Sequence, residues 1–325
     1  MIWLTLREHR VQLIAMLATT ALLAIGLAVM GSYAAAQRVA LGVDTCVPLP
    51  NTNLNCVDLS VEWMRRIGPA PYLVAALALA PLLASSFVGG PLLGGELERG
   101  THRLTLTQTI SRVRWTLTKI GVVIAVTIAC AVVLAQFGWA ARALNGLPGG
   151  LRDAFSLFDV DGPPVIGYAL FGIAVGALMG ALSRRALTGM FVGLLLFAGV
   201  RVLVASELRP SYEPPLIAYQ KAMTAPQPAA PPNAWVISSV TIDAQDRPVD
   251  NREIDRLMRG YSAAVMAGGP TDMGAYLATF GVRQRVVYQP AERYATFQWI
   301  ESGIFTVLAA GCVLLTVLLI RRRDA

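Results

Sequence analysis

Side chains able to do chemistry are sparse in this sequence, and their spacing argues against catalysis. The only two lysines, Lys119 and Lys221, follow no GxxxxGK[ST] loop that could cradle a phosphate. His9 and His102 each stand alone in a charged stretch, with no HExxH around either. No CxxC and no GxSxG occurs. The glycine-rich run GGPLLGG at 89–95 lacks a Lys, Ser or Thr to hold phosphate or magnesium. The chain is therefore expected to be no enzyme, to bind no metal and no cofactor, and to draw energy from elsewhere if it does work. Cys46 and Cys56 lie ten residues apart amid Pro and Asn, a spacing that admits a disulfide-closed loop or two free thiols. Cys130 and Cys312 fall inside apolar runs and read as small buried hydrophobes.

The elements that position these residues are written in the composition. Of 325 residues, 55% are hydrophobic and only 14% charged, with mean hydropathy +0.56. Soluble domains carry about 25% charged residues, so the expected fold class is an all-α polytopic membrane protein. Six stretches are long enough to cross a bilayer at about 1.5 Å per residue: 11–31, 71–93, 118–138, 163–182, 186–205 and 300–320. The segment MIWLTLREHR ahead of them reads as an interfacial helix, with Trp3 at headgroup depth, and not as a cleavable signal.

Orientation follows from the basic residues. Arg7, Arg10, Arg99, Arg103, Arg112, Arg114, Lys119, Arg184, Arg185 and Arg321–Arg323 cluster in 1–10, 94–119, 183–187 and 320–325, against few acids. The positive-inside rule places these pieces, and both termini, in the cytosol. Loops 32–70 and 138–162 then lie outside, where Cys46 and Cys56 could oxidise. The net charge of +7 thus reports topology, not nucleic acid. Expected domains are 1–205 with five helices, an extracytoplasmic insertion over 206–297, and 298–325 with the sixth helix and a basic tail. The insertion opens on a Pro-rich connector, offers strands at 235–242 and 283–288 and a helix at 251–259, and carries balanced charge, which reads as a small α+β domain. QPAERYATFQWI at 289–300 reads as an interfacial lead into the last helix.

Within the spans, Pro81 followed by Ser85 and Ser86 suggests a kink that either lines a pathway or merely bends the helix. Gly172, Gly176 and Gly180 form a smooth strip for close packing, within or between subunits. Arg201 and Glu301 share an outer-leaflet depth and either pair or reach the interface separately.

The remaining signal is the charged stretch 94–119, GGELERGTHRLTLTQTISRVRWTLTK, between two apolar segments. Leu97, Leu104, Leu106, Ile110, Val113 and Leu117 make an imperfect apolar stripe, while Glu98, Arg99, Arg103, Arg112 and Arg114 could select a partner by charge. The order Glu96, Glu98, Arg99, Gly100, Thr101, Leu104, Ile110, Ser111, Arg112, Trp115 and Lys119 resembles the cytosolic segment between helices two and three of type-2 ABC exporter permeases. The stretch YQPAERYATFQWIESG is similar to one before the last helix in a branch of such permeases from high-GC bacteria. Those permeases often carry a proline ahead of the I-S-R element, where this chain has Thr107-Gln108-Thr109. The resemblance implies a permease subunit in the bacterial plasma membrane, dimerising with itself or a sister subunit and driven by two ATPase chains that hold the ATP and magnesium. It also implies ATPase-coupling roles for Glu96, Glu98, Arg99, Gly100, Thr101 and Arg112. An amphipathic or lipid-like cargo (a drug, antibiotic or lipid) suits helices so poor in ionisable groups. The alternative is a non-transporting receptor or immunity protein whose outer domain binds a peptide or envelope ligand.

Overall fold

The structure is a computed structural model, and it describes residues 2–43, 45–46, 54–100, 111–145, 154–222, 230–231, 233–269 and 271–322. It divides into two compact units, one built from 1–149, 157–209 and 295–325, the other from 150–156 and 210–294.

The first unit is helical. Its six spans are Arg10–Leu41, Tyr72–Arg99, Arg112–Ala135, Pro163–Ser183, Ala186–Ser211 and Ala291–Arg322, each apolar and long enough to cross a membrane. The helices outrun the expected limits where amphipathic turns continue the apolar core. The second runs on through Arg99, so Glu96, Glu98 and Arg99 are helix residues rather than loop residues. The fifth runs on through a π turn at Val204–Leu208 and a short 3-10 turn at Arg209–Ser211, so the fold changes character at 209/210 rather than 205/206.

The fourth span is the hub. Of its apolar window, 72% is buried, against 22% to 39% for the other spans. Its glycine strip explains why. A Cβ at Gly176 or Gly180 would overlap the carbonyl oxygens of Ser85 and Gly90 in the second span, while Gly189 and Gly193 of the fifth span pack on the Gly180 and Gly176 backbones. The strip therefore serves close approach within one chain. Pro81 sits in the second span, and the irregularity appears one turn later as a π turn at Ser85–Gly89, where both serines are buried.

Two apolar cores lie toward opposite ends of the first span. Leu27, Ala34, Trp63, Ile67, Leu77 and Leu134 form one; Leu13, Leu92, Trp115, Val123, Ile173 and Ala181 form the other. The first core includes a helix the sequence pattern hid, Leu54–Ile67, whose Trp63 indole donates to the Ala34 carbonyl at 3.0 Å and lies under the Arg38 guanidinium. Large apolar side chains such as Leu22, Phe191, Leu195 and Val307 face outward, as lipid contact requires.

The second unit is a three-stranded antiparallel sheet, β1 Leu216–Lys221, β2 Trp235–Ile242 and β3 Arg283–Gln289, in the order β1-β3-β2. Helices Asn251–Met266 and Met273–Thr279 supply Leu257 and Leu277 to its small core, with Ala222 and Val282. β1 was concealed by the surrounding prolines. Buried Gln289 holds the connector, its amide donating to the Pro210 and Glu213 carbonyls at 3.0 and 2.7 Å.

Candidate coupling site

Ser111 starts the third span as an N-cap, its hydroxyl accepting the Arg114 N–H at 3.3 Å. This fixes the helix register that turns Lys119, two turns further on, into the protein, where it is 2% exposed. An ammonium so placed needs anions, and two arrive from different elements. Glu8, ending the first helix Ile2–Glu8, accepts from Lys119 Nζ at 2.7 Å, and Glu96 of the second span accepts from the same nitrogen. The Trp115 ring lies 5.1 Å from the ammonium. His9, between the first helix and the first span, bonds Gln12 through Nδ1 at 2.9 Å and turns Nε2 to within 3.6 Å of Glu96. That nitrogen has no hydrogen-bond partner. Burial pushes the His9 pKa below the ordinary histidine value, and Lys119 adds to the effect against the pull of Gln12 and Glu8.

Glu8, His9 and Glu96 bring three ligand-capable atoms within 4.8 Å of one another. The Lys119 ammonium lies between the two carboxylates and is the cation of this cluster.

Glu98, one turn-half along from Glu96, accepts the Ala186 N–H at 2.9 Å and so caps the fifth span. Gly100 ends the second span at φ +71°, the left-handed conformation that favours glycine. Of the residues expected to couple, Glu96 and Glu98 are thus engaged inside the chain. Arg99 is exposed and Arg112 half-buried, with no carboxylate partner among the described residues. Thr101 lies outside the described residues, as do His102, Arg103, Leu104, Leu106 and Ile110. Of the remaining stripe, Leu97 packs into the core whereas Leu117 faces outward.

A second polar cluster forms at the other end of the fourth and fifth spans. Of the two readings of Arg201 and Glu301, a mutual pair or separate contacts, the structure gives each residue other partners. Glu301, wholly buried, receives a two-pronged guanidinium from Arg209 at 2.8 and 2.7 Å and the Tyr168 hydroxyl at 2.5 Å. Arg209 also reaches Asp159 at 2.6 Å. Arg201 instead stacks on the Tyr168 ring, donates to the Ala78 carbonyl at 2.9 Å and lies 3.4 Å from Asp159. The reason is helical: Arg209 follows Arg201 by eight residues, about two turns, on a helix expected to have stopped at 205. Burial tends to raise the Asp159 pKa, yet Arg209 and Arg201 outweigh it and hold the carboxyl below its usual range. Cys46 and Cys56 are joined by a disulfide, their Cα atoms 5.7 Å apart. Cys130 is buried and Cys312 half-buried.

Between the first four spans lies an apolar cavity of about 630 Å³. Gln12, Met16, Thr19, Phe87, Thr127 and Cys130 are among its walls. Six apolar spans, two charge clusters near their ends and such a cavity define a multi-pass membrane protein. The family model described as "ABC-2 membrane transporter related" matches residues 17–209, and the chain belongs to that family, whose members are transmembrane components of ABC transporters. Neither a curated protein nor a solved structure matches the chain at a significant level.

Proposed function

We propose that this chain is the permease subunit of an ATP-driven exporter in a bacterial plasma membrane, moving an amphipathic or lipid-like cargo. Two separate ATPase chains carry the ATP and magnesium, and a second permease subunit completes the pathway. The Lys119 end of the bundle faces the cytosol and the Cys46–Cys56 end faces outward, in keeping with the basic residues and with disulfide chemistry. The 210–294 unit then lies on the outer side.

The observation that carries this reading is the Lys119 tie. Lys119, Glu96 and Glu8 join the start of the third span, the end of the second and the first helix, while Glu98 caps the fifth span. A push delivered through residues 101–110 by an ATPase would reach several helices together rather than bending one. Arg99 and Arg112 flank that segment and serve as the ATPase contacts. The apolar cavity, within the 300–1,000 Å³ range of ligand pockets, suits a cargo with a greasy body and few polar groups.

The test is co-expression with candidate ABC ATPase chains from the same genome. The wild-type permease should retain one such ATPase through purification and raise its turnover with amphipathic compounds. Arg99→Glu with Arg112→Glu should lower retention at least ten-fold and abolish the stimulation, while insertion and thermal midpoint stay unchanged. Equal stimulation by the double variant would overturn the coupling assignment, and failure of any ATPase to bind would overturn the transporter reading.

A further inference from the structure

A groove of about 720 Å³ runs between the first helix and the third span, lined by Ile2, Trp3, Arg114, Leu117, Thr118, Gly121, Val122 and Ala125. The third-span residues are not scattered. Arg114, Thr118, Gly121, Val122 and Ala125 stand at i, i+4, i+7, i+8 and i+11, a single helical face. Along it, character changes from cation to hydroxyl to the smallest apolar side chains. Gly121 deepens the floor, since a Cβ there would meet nothing within 4 Å. From Arg114 to Ala125 the face extends about 16 Å, close to the ~15 Å of hydrocarbon in one leaflet. Trp3 forms part of the facing wall, and the Arg7 guanidinium lies 5.3 Å from its ring, which adds a second cation beside the groove.

The charged side chains at the groove, Arg114 in its lining and Arg7 against Trp3, are of one sign. Glu8, the only carboxylate of the first helix, is turned to Lys119 at 2.7 Å. Among the described residues, neither Arg7 nor Arg114 forms an ion pair with a carboxylate. A groove that is cationic where the helix starts and apolar for one leaflet beyond fits one occupant in shape and charge.

We propose that this groove is a binding site for an anionic phospholipid. The phosphate and headgroup meet Arg114 and Arg7 beside the Trp3 indole, and one acyl chain lies along Leu117, Gly121, Val122 and Ala125. The site depends on the chain being a membrane protein and not on what it transports. Its consequence is mechanical, because the lipid would brace the helix that carries Glu8 against the span that carries Lys119.

The full-length protein, reconstituted in nanodiscs of phosphatidylglycerol and phosphatidylcholine in equal parts, provides the test. After release into detergent, native mass spectrometry counts the lipids that stay bound. The expected result is retained phosphatidylglycerol in clear excess over phosphatidylcholine. Arg114→Gln should lower phosphatidylglycerol retention roughly five-fold, the weight of one arginine near a charged surface. Gly121→Leu, which fills the floor without touching a charge, should displace both lipids. Equal retention of the two lipids by the wild type, wild-type retention by both variants, or a second copy of the chain in place of lipid would each overturn the proposal. Both substitutions are at open positions, and an unchanged thermal midpoint confirms the fold.

Discussion

The two charge clusters use similar ingredients in different ways. Around Arg209, a guanidinium fork meets Glu301 with both prongs, reaches Asp159, and receives support from the Tyr168 hydroxyl. Every partner comes from a neighbouring element, and Glu301 is wholly buried. Around Lys119, a single ammonium is divided between Glu8 and Glu96, Glu8 is 38% exposed, and one nitrogen of His9 has no hydrogen bond. A two-pronged fork is directional and loses its alignment when either partner turns, whereas a rotatable ammonium tolerates a shift of either carboxylate. The Arg209 cluster is thus a fixed joint, and the Lys119 cluster is a joint that can be worked. On the proposed reading, that is the division needed if an ATPase drives one end of the helices while the other end holds them together.

The comparison is most exposed at Glu301. Glu301→Gln removes the charge facing Arg209 and leaves that guanidinium with Asp159 alone among the carboxylates it contacts. Breaking a buried pair from one side costs about 3–5 kcal/mol, so the thermal midpoint in detergent should fall steeply. Glu301→Leu with Arg209→Met removes both charges of the pair, and should recover much of the loss because neither is stranded and Asp159 keeps Arg201 at 3.4 Å. A Glu301→Gln protein that melts like the wild type would dissolve the distinction between the joints.

Lys119→Met sharpens the same contrast. It takes the ammonium away from half-buried Glu96, but Glu8 can turn to water, so the expected loss is about 2 kcal/mol. The midpoint should drop by clearly less than in Glu301→Gln. A larger drop would reverse the ranking of the two joints. If the proposed ATPase partner is recovered, Lys119→Met should also reduce its stimulated turnover, whereas an effect on stability alone would confine Lys119 to a structural part.

What could be read in advance divides along physical lines. The six spans were legible because about 20 apolar residues in a row admit few other folds, and the glycine spacing of the fourth span pointed to close packing. Helix ends were less legible. Glu96 and Glu98 look like loop residues in a charged stretch, yet the second helix carries them to Arg99, where they bond Lys119 and Ala186. Arg209 was hidden for a related reason. It precedes Pro210 and a proline-rich connector, so it read as part of the insertion, although its eight-residue distance from Arg201 was a sufficient clue. Asp159 and Tyr168 carried no periodic signal at all. Asp159 joins the cluster because the chain before the fourth span packs back on it, and Tyr168 because its face of that span meets the last one, tertiary facts that no local pattern encodes. β1 was masked likewise, its six residues pairing with β3 while prolines on either side suggested a connector.

The smallest expected effect separates the two clusters by pH. His9 has a pKa held below the histidine reference of 6.5, chiefly by burial. Above that reference, neither the folded nor the unfolded chain protonates it, and its neutral state costs nothing. As pH falls below 6.5, the unfolded chain takes up the proton and the folded chain does not, so stability declines until the lower folded pKa is reached. Asp159 behaves differently: its folded pKa lies below the reference of 3.8, so its contribution is complete above that reference and is lost only as pH falls through the folded value. A midpoint series from pH 7.5 to 3 should therefore show a shallow early decline attributable to the Lys119 end and a later one at the Arg209 end. His9→Gln keeps a hydrogen-bonding amide in the pocket but cannot titrate, so it should flatten the early decline and leave the late one intact. If His9→Gln declines in parallel with the wild type between pH 7 and 5, the proton enters elsewhere, and the Lys119 joint is no more open to the medium than its counterpart.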